Sequence, residues 1–186
     1  MRKLKLQMQT SVDGFVAGPG GEMDWMTWDW DDALKDHVTA LHASVDCMLL
    51  GRRLAEGFIP AWAERLKAGE ASAALFVETP KVVFSRTLTQ CPWGDNTTLA
   101  KGELVAEVSA LKDASGGDLM AYGGGEFVSD LVKHNLIDEY HFFVNPAAIG
   151  EGMTIFREPG QNKALKLLSA TPFECGIVVL TYAPAG

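Results

Sequence analysis

The chain has 186 residues, 47% of them hydrophobic and 22% charged, with a formal net charge of −8. That length builds a single domain with a core needing no staples, and the acidic balance gives no general attraction to nucleic acid or to an anionic membrane. No apolar run approaches the ~20 residues that cross a bilayer, and no apolar segment follows the basic start MRKLKLQMQT. With Cys47, Cys91 and Cys175 at no metal-ligand spacing, a cytoplasmic protein with free thiols is expected.

In chain order, Lys3–Met8 is predicted as a strand, followed over residues 11–32 by a long loop rich in Gly and Trp. Leu34, Val38 and Leu41 recur at helical spacing between Asp31 and Ser44, and Asp31 or Asp32 can serve the helix N-terminus. Val45–Leu50 is a short strand of buried type ending at Gly51, and a second helical segment follows, interrupted at Pro60. KVVFS (81–85) is a strand; Leu104, Val108 and Leu111 mark a helix; DLMAY (118–122) is a buried strand. Phe127, Val128, Leu131 and Val132 mark a helix running to Asn135. The remainder has strands without helices between them: 139–144, then 164–174 and 176–182 as an antiparallel hairpin turning near Cys175–Gly176. Strand–helix alternation with a strand-rich end predicts an α/β fold, a mainly parallel sheet flanked by helices and finished by antiparallel strands.

In such sheets ligands bind beyond the carboxyl ends of the strands, where helix N-termini present free N–H groups. Three successive strand ends carry suitable residues: Gly51, Arg52 and Arg53; Ser85, Arg86 and Thr87; and Gly123, Gly124 and Gly125. Glycine admits close backbone approach, arginine pairs with phosphate through two N–H groups, and hydroxyls donate to phosphate oxygens. Taken singly each has a plain structural alternative, a helix start for GRR and a turn for SRT. The glycine run matches neither GxGxxG nor GxxxxGK[ST], and it is the joint placement that points to a ligand with several phosphates. His37, His42, His134 and His141 share no metal-binding spacing, GGGEF holds Glu where a nucleophile elbow needs Ser, and Cys47 inside a strand reads as inert core.

Five blocks in order, SVDGFVAG (11–18), MLLGRRLAEG (48–57), VVFSRTL (82–88), AYGGGEFVSDLV (121–132) and LIDEYHFFVNPAAIGEGMTIF (136–156), resemble the dihydrofolate reductase superfamily. Within it, the resemblance is to the reductase domain found at the C-terminal end of bifunctional riboflavin-biosynthesis deaminase-reductases, and a stand-alone version of that domain is expected. The resemblance implies a dihydrofolate-reductase-like fold and NADPH as cofactor. Gly51, Arg52 and Arg53 would lie against its phosphates, Ser85, Arg86 and Thr87 would hold the adenosine 2′-phosphate, and Lys101 would add charge there. Tyr122, Gly123, Gly124, Gly125, Glu126 and Phe127 would wrap the pyrophosphate, and Ala17 and Gly18 would flank the nicotinamide. Leu54 stands where the family usually has threonine, so one hydroxyl contact to phosphate is lost.

On the substrate side the resemblance places a pocket between the first loop and the first helix. Trp25, Trp28 and Trp30 supply aromatic walls, and Asp32 or Asp31 is the candidate for the carboxylate that binds and helps protonate a ring. The alternative for both aspartates is helix capping. Asp13 is expected to brace its loop. The expected activity is NADPH-dependent hydride transfer to a C=N or C=O bond of a small heteroaromatic (pterin or aminopyrimidine) or related substrate. A homodimer through the strands at 139–145 and 176–182 is expected, as in the riboflavin relatives. The competing expectation is a non-catalytic nucleotide- or ligand-binding protein on the same scaffold, with a flavin or folate-like ligand as a further variant.

Overall fold

The computed structural model describes residues 1–157 and 162–185. In chain order these form β1 (Leu4–Thr10), α1 (Asp32–His42), β2 (Val45–Gly51), α2 (Arg52–Lys67), a 3-10 turn (Ala71–Ala73) entering α3 (Ala74–Glu78), and β3 (Lys81–Phe84). Then follow β4 (Thr97–Ala100), α4 (Leu104–Asp113), β5 (Asp118–Tyr122), α5 (Gly125–Lys133), β6 (Glu139–Val144), β7 (Leu165–Pro172) and β8 (Val178–Pro184). The strands make one eight-stranded sheet in the order β4-β3-β2-β5-β1-β6-β8-β7. It is parallel from β4 to β6 and antiparallel where β8 meets β6 and β7.

Strand side chains alternate between the two faces, and each face has its own helices. Met48, Leu50, Met120 and Tyr122 join Leu34 and Val38 of α1, Ala55 of α2 and Phe76 of α3 in one cluster. Leu49, Leu119 and Ala121 join Val108 of α4 and Val128, Leu131 and Val132 of α5 in the other. β1 departs from this apolar pattern. Leu4, Leu6 and Met8 face α4 and α5, but the alternate positions, which lie under α1, are Lys5, Gln7 and Gln9.

Three sequence expectations change. Pro60 does not interrupt the second helix: α2 runs unbroken with Pro60 inside it. The ring removes one backbone bond at a cost of about 3 kcal/mol; Pro60 is exposed, so water reaches the freed carbonyl, and Phe58 and Trp62 anchor the helix on Phe76. β4, four residues with two threonines, carries no pattern of its own and exists because β3 offers it a free edge. Finally, β6 and β8 are interior strands, so the proposed dimer strands at 139–145 and 176–182 are not edges; the edges are β4 and β7.

Candidate cofactor and substrate site

The carboxyl ends of β1, β2, β3 and β5 open on one side of the sheet, and two helices start there. α2 has Gly51 at its N-cap and α5 has Gly124; neither has a side-chain cap. Their first-turn N–H groups therefore lack intrahelical partners, and each start carries roughly half a positive charge. Arg52 and Arg53 lie in the first turn of α2, Arg52 paired with Glu56 at 2.7 Å and Arg53 with Glu126 of α5 at 3.3 Å. The glycines serve helix packing first. A Cβ on Gly51 would lie 2.8 Å from Cβ of Phe127, one on Gly123 would lie 3.3 Å from Leu54, and one on Gly125 would lie 3.0 Å from the Arg157 guanidinium. Gly124 has φ +76°, the left-handed conformation that favours glycine. The close approach in GGG is thus by Leu54, which leans over Gly123 and Gly124, and by Arg157. What remains for a ligand is the pair of uncapped N-termini.

At the end of β3 the Ser85 hydroxyl accepts from the N–H groups of Thr87 (3.3 Å) and Leu88 (3.0 Å), which fixes the turn. Arg86 and Thr87 are both exposed there, and the Thr87 hydroxyl lies 3.5 Å from that of Ser85. Lys101 donates to the Thr89 carbonyl at 2.8 Å, tying the start of the next loop to the end of β4. Among the described residues, Arg2, Arg52, Arg53, Arg65 and Arg157 all have polar partners, and Arg86 has none. An unpaired guanidinium beside an ordered hydroxyl turn and two bare helix N-termini suits well-separated phosphate groups.

On the substrate side the geometry corrects several expectations. Asp31 is the N-cap of α1: one carboxylate oxygen accepts from Leu34 N and the other from Cys175 N, each at 2.8 Å. Those bonds hold its carboxyl below the ordinary carboxylate range. Asp32 is 97% exposed and pairs with Lys35, so neither aspartate is a buried acid. Helix capping uses one and solvent takes the other. Tyr122 faces α1 rather than a cofactor. Its hydroxyl donates to Nε2 of His42, whose Nδ1–H donates to Val38 O at 2.7 Å, and burial raises the phenol well above its usual value. Of the tryptophans, Trp30 stacks on Phe143 at 6.1 Å, Trp25 donates to the Glu22 carbonyl, and Trp28 is exposed.

The first loop is held as expected. Asp13 accepts from Ser11 Oγ (2.6 Å) and from Gly150 N (2.7 Å), which lowers its carboxyl. Ala17 forms an antiparallel bridge with Met153, and Gly18 opens the turn that Gly21 N–H closes on its carbonyl. Asn145, fully buried, accepts from Thr27 N (2.8 Å) and donates to Gln9 Oε1 (2.8 Å), so it ties the tryptophan loop to β1.

Two side-chain atoms among the described residues are buried without a hydrogen-bond partner, Oε1 of Gln7 and Nε2 of His37. An unpaired buried polar group of this kind costs about 1–3 kcal/mol. Gln7, His37, Asn145 and Arg157 were not singled out from the sequence. A polar residue on β1 reads there as a solvent face, and nothing in the linear pattern shows that α1 covers it. A cavity of about 570 Å³ also runs along α5, touching Glu126 and Arg157 at its start.

A family model described as the RibD C-terminal domain matches residues 2–179. YyaP of Bacillus subtilis (strain 168), an uncharacterized protein, is 28% identical over 188 residues, spanning 97% of this chain and 94% of its own length. Among solved structures, the diaminohydroxyphosphoribosylaminopyrimidine deaminase/5-amino-6-(5-phosphoribosylamino)uracil reductase of Thermotoga maritima superposes with TM-score 0.70 at 16% identity. That match covers 99% of this chain and 57% of the other. Dihydrofolate reductase from Enterococcus faecalis, complexed with NADP(H), superposes with TM-score 0.65 at 16% identity, covering 99% and 97% of the two chains. The fold is that of dihydrofolate reductase.

Proposed function

The chain belongs to the RibD C-terminal domain family, and on that premise we propose that it is an NADPH-dependent reductase acting on a C=N or C=O bond of a small heterocyclic substrate. Arg86 carries the reading: it is the one arginine among the described residues without a polar partner, and it projects from the Ser85 turn at the end of β3. A guanidinium there suits the 2′-phosphate that separates NADPH from NADH. The first turns of α2 and α5 supply N–H groups for the pyrophosphate, with Arg52, Arg53 and Arg157 adding charge. When bound, the nicotinamide supplies hydride; the loop braced by Asp13 and the Ala17–Met153 bridge would hold its ring end in place.

Calorimetric titration tests this. Micromolar NADPH binding, much weaker NADH binding and a loss of that preference in Arg86→Ala are expected. Equal affinities for the two nucleotides, or an unchanged preference in the variant, would remove the 2′-phosphate assignment.

One observation favours a second reading, a nucleotide-binding protein without turnover. Leu54 fills the space above Gly123 where a hydroxyl would otherwise meet phosphate, and no Asp or Glu is buried among the described residues. Substrate-dependent loss of nicotinamide absorbance separates the two.

A further inference from the structure

We propose that α1 is a helix released by acid: protonation of His37 and His42, both packed against other elements, frees it from the sheet and uncovers the polar face of β1. The proposal stands apart from the reductase reading.

α1 has a small hold on the sheet. Of its eleven residues it buries Leu34, Val38 and His42, so one of three anchors is titratable. α5 buries Val128, Leu131 and Val132 instead. The His42 ring lies 5.7 Å from Phe76 of α3 and stacks 5.8 Å from Tyr122 of β5. As a neutral ring it is fully used, with Nδ1–H donating to Val38 O and Nε2 accepting from the Tyr122 hydroxyl. A proton added at Nε2 turns that acceptor into a second donor. The phenol can then only accept, and its own hydrogen is left among Phe58 and Phe76, a buried polar group without a partner.

His37 is no better placed to hold a charge. Its ring lies 6.3 Å from Phe143 and 5.4 Å from Phe173, and its Nε2 is buried without a partner. Charge around the two rings opposes protonation as well. Lys5 of β1 and His141 of β6 act on His42 as cations, and His37 and His141 act on each other in the same sense. The acids nearby are engaged or in water. Asp118 of β5 holds Lys5 (2.9 Å) and Ser44 (2.9 Å), Glu139 of β6 holds His141 (2.7 Å), and Asp31 caps α1 and bonds Cys175 N. Asp32, Lys35 and Asp36 of α1, Glu56 of α2, Glu78 of α3 and Glu174 beside Phe173 are exposed.

In water a histidine takes its proton near pH 6.5. The released helix therefore binds two protons that the docked helix refuses, and well below that pH its population follows the square of the proton concentration.

Backbone amide hydrogen exchange, corrected for the intrinsic effect of pH on exchange, reads the release. Between pH 6 and pH 5 the protection of α1 amides should fall by a factor approaching ~100, while that of β5 and α5 amides changes little. In His37→Phe, which forfeits no hydrogen bond at Nε2, the fall should shrink to about tenfold. A triple variant, His37→Phe with His42→Phe and Tyr122→Phe, leaves no hydroxyl unpaired and should abolish it. Constant α1 protection between pH 6 and pH 5 overturns the proposal. So does an equal fall in α5, which means global acid unfolding, or a fall that persists in the triple variant, which places the protons elsewhere. Should the triple variant not fold, His37→Phe decides alone: a fall as large as the wild type's overturns the proposal.

Discussion

Gly124 opens α5 at φ +76°, where a side chain costs about 1–2 kcal/mol. Gly124→Ala is therefore expected to lower stability by roughly that amount in urea unfolding and to weaken NADPH, because the α5 N-terminus shifts with it. Wild-type stability in this variant would show that the turn relaxes without loss. Asp31 and Asp32 part company at this scale. Asp31→Ala removes acceptors from both Leu34 N and Cys175 N, so a clear drop in melting temperature is expected. Asp32→Asn should change neither melting nor turnover, since its carboxylate faces solvent; lost turnover there would mean that it reaches a bound substrate. Sequence position favours Asp32, with Asp31 as the alternative. Which one caps α1 depends on where the helix axis starts, and adjacent residues differ in direction by about 100° around a helix.

At the scale of elements, α2 and α5 meet so closely that Gly51 has no room for a methyl group beside Phe127. Gly51→Ala is expected to destabilise by about 1–3 kcal/mol, as overpacking does. It should also reduce NADPH affinity, because the two helix starts are pushed apart; normal affinity in a folded variant would show that their spacing is not critical. The α1 interface has its own signature. Burial holds His37, His42 and His141 below the ordinary histidine value. The unfolded chain therefore takes up protons first as pH falls. Stability from these groups is fully present above about pH 6.5 and is lost as pH drops through and below that value. Urea midpoints should fall between pH 7.5 and 5.5 and should flatten in His42→Phe. A profile unchanged by that substitution would locate the titration elsewhere.

For the whole molecule, the two free edges of the sheet differ. β4 is four residues long, whereas β7 has eight residues that are mostly exposed, including Leu167 and Leu168 beside a register shift. Self-association is expected to run through β7, because an open edge with apolar side chains is a pairing surface. Leu168→Lys should shift any dimer to monomer in light scattering with the melting temperature kept, and a surviving dimer would lie on another surface. Among the described residues no helix is long and apolar enough to cross a membrane.

The strand–helix order apart from α3 and β4, the parallel body with its antiparallel hairpin, and the three strand ends bearing GRR, SRT and GGG are determined by sequence alone. Period-two and helical spacing are local properties, and the βα alternation they imply has few compact solutions. Only the tertiary structure decided what those residues touch. It put Leu54 and Arg157 against the glycines, left Arg86 without a partner, turned Asp31 into a cap, and laid α1 over the glutamines of β1. Each of these depends on contacts between segments far apart in the chain, and linear spacing carries no record of which distant side chain fills a given space.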